Sequence, residues 1–135
     1  MSSPTILGKM NVPQSPRVIV VVEDDDDSRA MMKTLLGMKG YAVIEARDGR
    51  EAVEAVERSR PDLILMDLTL PQMDGLDAAR AMRRHAHLRD VPIIAISGHS
   101  PDDFEAAALD AGYSGYMTKP LDFDLLEKVL AHLSG

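Results

Sequence analysis

Five polar side chains in this sequence each come directly after an apolar run. Glu23 and Asp24 follow Val18-Ile19-Val20-Val21-Val22, and Asp67 ends Leu63-Ile64-Leu65-Met66. Ser97 closes Ile93-Ile94-Ala95-Ile96, and Lys119 comes after Gly115-Tyr116-Met117-Thr118. One such residue says little, but a recurring position at the ends of four runs points to a shared site. Three carboxylates gathered together repel one another, and a hard divalent cation resolves that conflict. Mg²⁺ takes octahedral oxygen ligands and keeps several waters, so two or three carboxylates suffice. A lysine beside such a site is redundant unless a second anion enters. A phosphoryl group is such an anion, and the metal, the Lys119 ammonium and the Ser97 hydroxyl could each engage one of its oxygens. One carboxylate can then act as nucleophile and form an acyl phosphate. Asp67 is the candidate, because its run reads as a central strand with neighbours on both sides.

Converging these ends requires a particular arrangement of elements. The β-branched run at 18–22 reads as a strand buried on both faces. A helix follows to Lys39, with Met31, Met32, Leu35, Leu36 and Met38 at helical spacing and Gly40 closing it at the C′ position. Tyr41 to Ala46 is a second strand. Asp48 and Glu51 have capping-box spacing before a helix that turns Ala52, Val53 and Val56 inward. Leu63 to Met66 is the third strand. Asp74-Gly75 opens a third helix with Leu76, Ala79 and Met82 on one stripe. Ile93 to Ile96 is the fourth strand, with Pro92 as its first residue. Ser100-Pro101-Asp102-Asp103 starts a helix that runs to Ala111 and is closed by Gly112. Gly115 to Thr118 is the fifth strand, and Asp122 caps a last helix with Leu126, Val129, Leu130 and Leu133 as its buried stripe. Five β-α units imply a doubly wound α/β fold, a five-stranded parallel sheet covered on both faces. Ligands bind such sheets beyond the carboxyl ends of the strands.

Composition narrows the function classes. The 135 residues fit one domain, with residues 1–16 expected as a mobile tail and the folded domain at 17–135. The tail carries Pro4, Pro13 and Pro16 and few large apolar side chains, too little surface to offset its ordering entropy. The net charge of −7 comes largely from the unbroken run Glu23-Asp24-Asp25-Asp26-Asp27. An acidic balance disfavours nonspecific nucleic-acid binding. With no cysteine there is no disulfide framework and no thiolate chemistry. No apolar stretch reaches the length of a membrane span, and no signal peptide is recognisable, so a soluble cytoplasmic protein is expected. No further patterned segment follows the last helix, so a domain standing alone is expected.

From Arg17 to Ser134 the sequence resembles the receiver domain of bacterial two-component response regulators. The resemblance is carried by Val21-Val22-Glu23-Asp24, Pro61-Asp62-Leu63-Ile64-Leu65-Met66-Asp67, Leu70-Pro71-Gln72-Met73-Asp74-Gly75, Ile96-Ser97 and Lys119-Pro120. It implies a flavodoxin-like fold and a phosphorylation-activated switch. By this resemblance Asp67 accepts a phosphoryl group from a histidine kinase or a phosphotransfer protein. Glu23, Asp24, Asp67 and the backbone carbonyl of Thr69 hold Mg²⁺. Ser97 and Lys119 contact the phosphoryl group, and the Lys119-Pro120 bond is cis. Tyr116 is the switch aromatic that turns inward as Ser97 moves. The side chains of Thr69 and His99 tune the phosphoryl lifetime. The responding surface is that of helix 4, strand 5 and helix 5, which binds a protein target or passes the phosphate on. The expected state is a monomer or a phosphorylation-dependent homodimer. Two positions depart from common family usage. Glu23 stands where Asp is at least as frequent, and Ser97 where Thr is common.

Other readings compete. A Mg²⁺-dependent phosphatase with an Asp nucleophile typically has a second acid two residues on, where Thr69 stands and cannot serve as general acid at neutral pH. A phosphate-independent adaptor on the same fold would not need Glu23, Asp24, Asp67, Ser97 and Lys119 together. Asp25, Asp26 and Asp27 read as a helix start. His85 and His87 read as solvated. Arg80, Arg83, Arg84 and Arg89 read as a solvent-exposed basic face, and the methionines as gap-filling core. Phe104 is a candidate partly exposed ring.

Overall fold

The computed structural model describes residues 17–67, 72–97, 105–118 and 122–134. The expected tail at 1–16, the helix start at Ser100-Pro101 and Phe104 lie outside the described residues. Strands and helices alternate through the chain: β1 (Val18–Val22), α1 (Asp26–Met38), β2 (Ala42–Ala46), α2 (Gly49–Arg58) and β3 (Leu63–Asp67). Then come α3 (Gln72–Arg83), a 3₁₀ turn (Ala86–Leu88), β4 (Ile93–Ser97), α4 (Glu105–Ala111), β5 (Gly115–Thr118) and α5 (Phe123–Ser134). All the strand pairs are parallel, in the order β2-β1-β3-β4-β5. The order reverses between β1 and β3, where a flavodoxin-like sheet opens a crevice at its carboxyl edge.

The pleat divides the core into two layers. Val20, Val22, Ile64, Met66, Ile93 and Ala95 pack with Ala52 and Val56 of α2, Ala79 and Met82 of α3 and Ala108 of α4. The alternate residues Ile19, Val21, Leu63, Leu65, Ile94 and Ile96 pack with Met32 and Leu36 of α1 and Leu126 of α5. A sheet covered on both faces explains why β1 and β3 are continuously apolar rather than alternating.

Local signals account for the element ends. Asp25 is the N-cap of α1, its carboxylate accepting from Ser28 N at 2.8 Å, with Asp26 and Asp27 in the first turn. Gly40, at φ 95°, terminates α1 in a Schellman arrangement: Tyr41 N–H reaches the Leu36 carbonyl and Gly40 N–H that of Gly37. Gly112, at φ 108°, repeats it at the end of α4, through Tyr113 N to Ala108 O and Gly112 N to Leu109 O. At α2, Asp48 accepts from Glu51 N at 2.8 Å, but Glu51 returns its carboxylate to Arg47 N rather than to the cap residue.

Several sequence expectations are corrected. α3 begins at Gln72, ahead of Asp74-Gly75. β4 begins at Ile93; Pro92 precedes it and only its carbonyl joins the ladder, accepting from Ile64 N at 3.0 Å. Met31 and Met38 are 56% and 78% exposed, on the side of α1 away from the sheet, whereas Met32, Met66, Met82 and Met117 are core. His87 is exposed, as expected, and also makes a 2.9 Å bond between Nε2 and the Val56 carbonyl. Arg83 is no part of a solvated basic face. Its guanidinium donates to the carbonyls of Leu88 (2.6 Å), Val91 (2.6 Å) and Gly112 (2.8 and 3.0 Å) and to Ser114 Oγ (3.1 Å). It thereby joins the end of α3 to the ends of the 3₁₀ turn and α4.

Candidate metal and phosphoacceptor site

Register brings the acids together. Val22 of β1 pairs with Met66 of β3, so Glu23 and Asp67 lie at the next step on adjacent strands. Both continue the odd-numbered side of the pleat, with Ile19 and Val21 on one strand and Leu63 and Leu65 on the other. Glu23, Asp24 and Asp67 each place a carboxylate oxygen within 4.8 Å of the others. Glu23 and Asp67 are each only 2% exposed, whereas Asp24 is exposed. Burying a carboxylate is costly unless it is hydrogen-bonded, paired or bound to a metal. Glu23 Oε2 accepts from Asp25 N at 3.1 Å. The donor set, all carboxylate oxygen with one open side, suits a hard divalent cation such as Mg²⁺ that keeps part of its water shell.

The loop between β1 and α1 is held from both directions. Glu23 N donates to the Ala46 carbonyl at the end of β2 (3.0 Å), and the Glu23 carbonyl accepts from Arg29 Nη1 (2.9 Å). Arg29 also bonds Asp26 at 2.6 Å and lies 3.4 Å from Glu45. The hydrogen bond to Asp26 holds the guanidinium above its ordinary pKa, with Glu45 adding to the effect and desolvation opposing it.

On the neighbouring strand, Ile96 pairs with Asp67, which sets Ser97 one residue beyond the acceptor candidate; its side chain is outside the description. Ser97 pairs in turn with Thr118 at the end of β5. Tyr116 pairs with Ala95 and packs, half-buried, against the α2–α3–α4 layer. Thr69, His99, Lys119 and Pro120 lie outside the described residues, and with them the expected metal-binding carbonyl, the lysine contact and the cis bond. Sequence reasoning missed Arg29 and the true surroundings of Arg83. The spacing of Asp26 and Arg29 was a readable signal for the first. Arg83 had none, since its partners are backbone carbonyls.

Residues 19–131 match the family described as the response regulator receiver domain. The chain is 37% identical over 116 residues to the transcriptional regulatory protein PdtaR of Mycobacterium tuberculosis, covering 84% of this chain and 55% of that protein. It is 32% identical over 106 residues to the polar-differentiation response regulator DivK of Brucella anthropi, covering 78% and 86%. The chain spans about half the length of several curated relatives it matches. A similar solved structure is the receiver domain of a Pseudomonas aeruginosa sensor histidine kinase, which has a magnesium ion coordinated in its active-site cleft. The two are 34% identical with a TM-score of 0.79, covering 89% of this chain and 99% of that one.

Proposed function

This chain belongs to the response regulator receiver domain family of two-component signalling, and from that premise we propose that it is a switch operated by phosphorylation of Asp67. An Asp67 carboxylate oxygen attacks the phosphorus of a phosphohistidine on a histidine kinase or phosphotransfer protein. The O–P bond forms as the P–N bond breaks, and the electron pair of that bond returns to the imidazole. The observation that carries the reading is the meeting of buried Glu23 and Asp67 with exposed Asp24 at the strand-order reversal.

Glu23, Asp24, Asp67 and the Thr69 carbonyl hold Mg²⁺ in this reading. The ion supplies charge neutralisation for the transferring phosphoryl group. Ser97 and Lys119 contact the remaining phosphoryl oxygens, and Thr69 and His99 set how long the acyl phosphate lasts. Tyr116, with one side already against the core, moves further inward as Ser97 moves. Its strand borders a groove of about 320 Å³ that includes Ile94, Met117 and the 45%-exposed Leu125. A change there alters what α4, β5 and α5 offer a protein target. The folded unit is residues 17–135, preceded by a tail at 1–16. The chain acts on no separate substrate; its only chemistry is phosphoryl acceptance and self-dephosphorylation. No described helix is long and apolar enough to cross a membrane, and the reading places the domain on the cytoplasmic side with its kinase.

The test is labelling with Mg²⁺ and a small acyl-phosphate donor, read by intact-protein mass. Wild type gains one phosphoryl group that base or hydroxylamine removes, and Asp67→Asn gains none. Equal labelling of the two proteins, or no labelling of wild type, defeats the proposal.

A further inference from the structure

Arg29 lies in the first turns of α1 with its side chain only 12% exposed. Its bonds close a ring around the metal-site loop. The guanidinium donates to the Glu23 carbonyl at 2.9 Å and lies 3.4 Å from the Glu45 carboxylate. Glu45 adjoins Ala46, whose carbonyl accepts the Glu23 N–H at 3.0 Å. Both backbone polar groups of Glu23 are therefore fixed to the end of β2, one directly and one through Arg29. Asp26, bonded to Arg29 at 2.6 Å, ties the same cation to the start of the helix. A planar guanidinium can reach all three acceptors at once, which an ammonium cannot.

We propose that Arg29 is a positioning residue for the metal site, clamping the β1–α1 loop so that Glu23 and Asp24 meet Asp67 at a spacing one divalent cation can bridge. This rests on the reading of those three acids as Mg²⁺ ligands. The proposal has a sign that separates it from simple electrostatics. A cation near a metal site opposes a second cation, so by charge alone the loss of Arg29 would tighten Mg²⁺ binding. By positioning, its loss weakens binding, because groups that orient metal ligands typically contribute about ten- to a hundredfold in affinity.

The experiment is calorimetric titration of the full chain with Mg²⁺, joined to amide exchange of the metal-free protein. Arg29→Met is expected to bind Mg²⁺ about tenfold more weakly and to exchange the Glu23 and Asp25 amides faster. Arg29→Lys keeps the charge without the fork and is expected to fall between; it carries the test if the Met variant does not fold. Lys33→Met removes another cation from Glu45, 3.2 Å away, and is expected to stay within about twofold of wild type. Leu88→Ala, a buried truncation in the other core layer, controls for general loosening. Unchanged or tighter Mg²⁺ binding by both Arg29 variants overturns the clamp, as does equal weakening by Leu88→Ala. If wild type itself shows no saturable Mg²⁺ binding, the metal reading falls too, a result distinct from normal wild-type binding with indifferent variants.

Discussion

Arg83 and Gly112 fit each other as donor and space. The guanidinium gives the Gly112 carbonyl two hydrogen bonds, from Nε at 3.0 Å and from Nη2 at 2.8 Å. A Cβ on Gly112 would lie 2.7 Å from Arg83 Cγ, so the missing side chain is what admits the arginine stem. Gly40 has the same left-handed backbone, at φ +95°, but nothing within 4 Å of a built Cβ. Gly40→Ala should therefore cost only the backbone strain, about 1 kcal/mol. Gly112→Ala adds the clash and should cost about 2–3 kcal/mol. Urea denaturation of the two variants decides it, and equal losses would show that the arginine yields freely.

Removing the arginine tests the same junction from the other side. Arg83→Met takes its donor from the Val91 and Gly112 carbonyls, leaves the Leu88 carbonyl only the Val91 N–H at 3.2 Å, and should lower stability by about 2–3 kcal/mol. Lysine should restore less than half, because one ammonium cannot follow the planar fork to all of these acceptors. Burial lowers the Arg83 pKa, with the charge of Asp90 opposing. Because these contacts lie at the sheet edge away from Glu23 and Asp67, Mg²⁺ affinity should be unchanged. A fall in affinity with Arg83→Met would contradict that separation.

Tyr113 is buried, and its hydroxyl donates to the Gly75 carbonyl at 3.0 Å. Burial raises its pKa well above the ordinary 10.0. A folded-state pKa above the unfolded one means that the phenol's full contribution is present below pH 10. It is lost above that, as unfolded chains ionise first. Tyr113→Phe should cost about 1 kcal/mol at pH 8 through the lost hydrogen bond. The gap to wild type should close, or reverse, when stability is measured near pH 11. A gap constant with pH would mean that the phenol titrates alike in folded and unfolded chains.

Asp24 is the exposed member of the acid cluster. Asp24→Asn should raise the melting temperature of the metal-free protein by relieving repulsion, and should weaken Mg²⁺ binding. In wild type, Mg²⁺ at ten times its dissociation constant should add about 1.4 kcal/mol of stability. Thermal melts with and without Mg²⁺ read both effects. An Asn variant that is stabilised by Mg²⁺ as much as wild type would remove Asp24 from the ligand set.

Much of this structure was readable along the chain. The apolar runs at 18–22, 63–66 and 93–96 lie in strands, and Asp25, Asp48, Gly40 and Gly112 mark helix ends where expected. The acid cluster was legible because its three carboxylates stand at the same point, the strand end, of the first and third β-α units. Helical spacing failed for Met31 and Met38, because periodicity locates a face without saying how wide a strip of it the sheet covers. The basic-face reading failed at Arg83, because a carbonyl cage has no side-chain signature.

The sequence by itself determined the elements and the doubly wound alternation, since apolar period, N-cap acids and C′ glycines act within a few residues of one another. It also determined which side chains stand at the strand ends. Only the tertiary structure decided that β1 lies between β2 and β3, with Val22 beside both Ala46 and Met66. That register buries Glu23 next to Asp67 and lets Arg29 reach Glu45. It depends on packing two faces of one sheet at once, a condition no local stretch of chain can express.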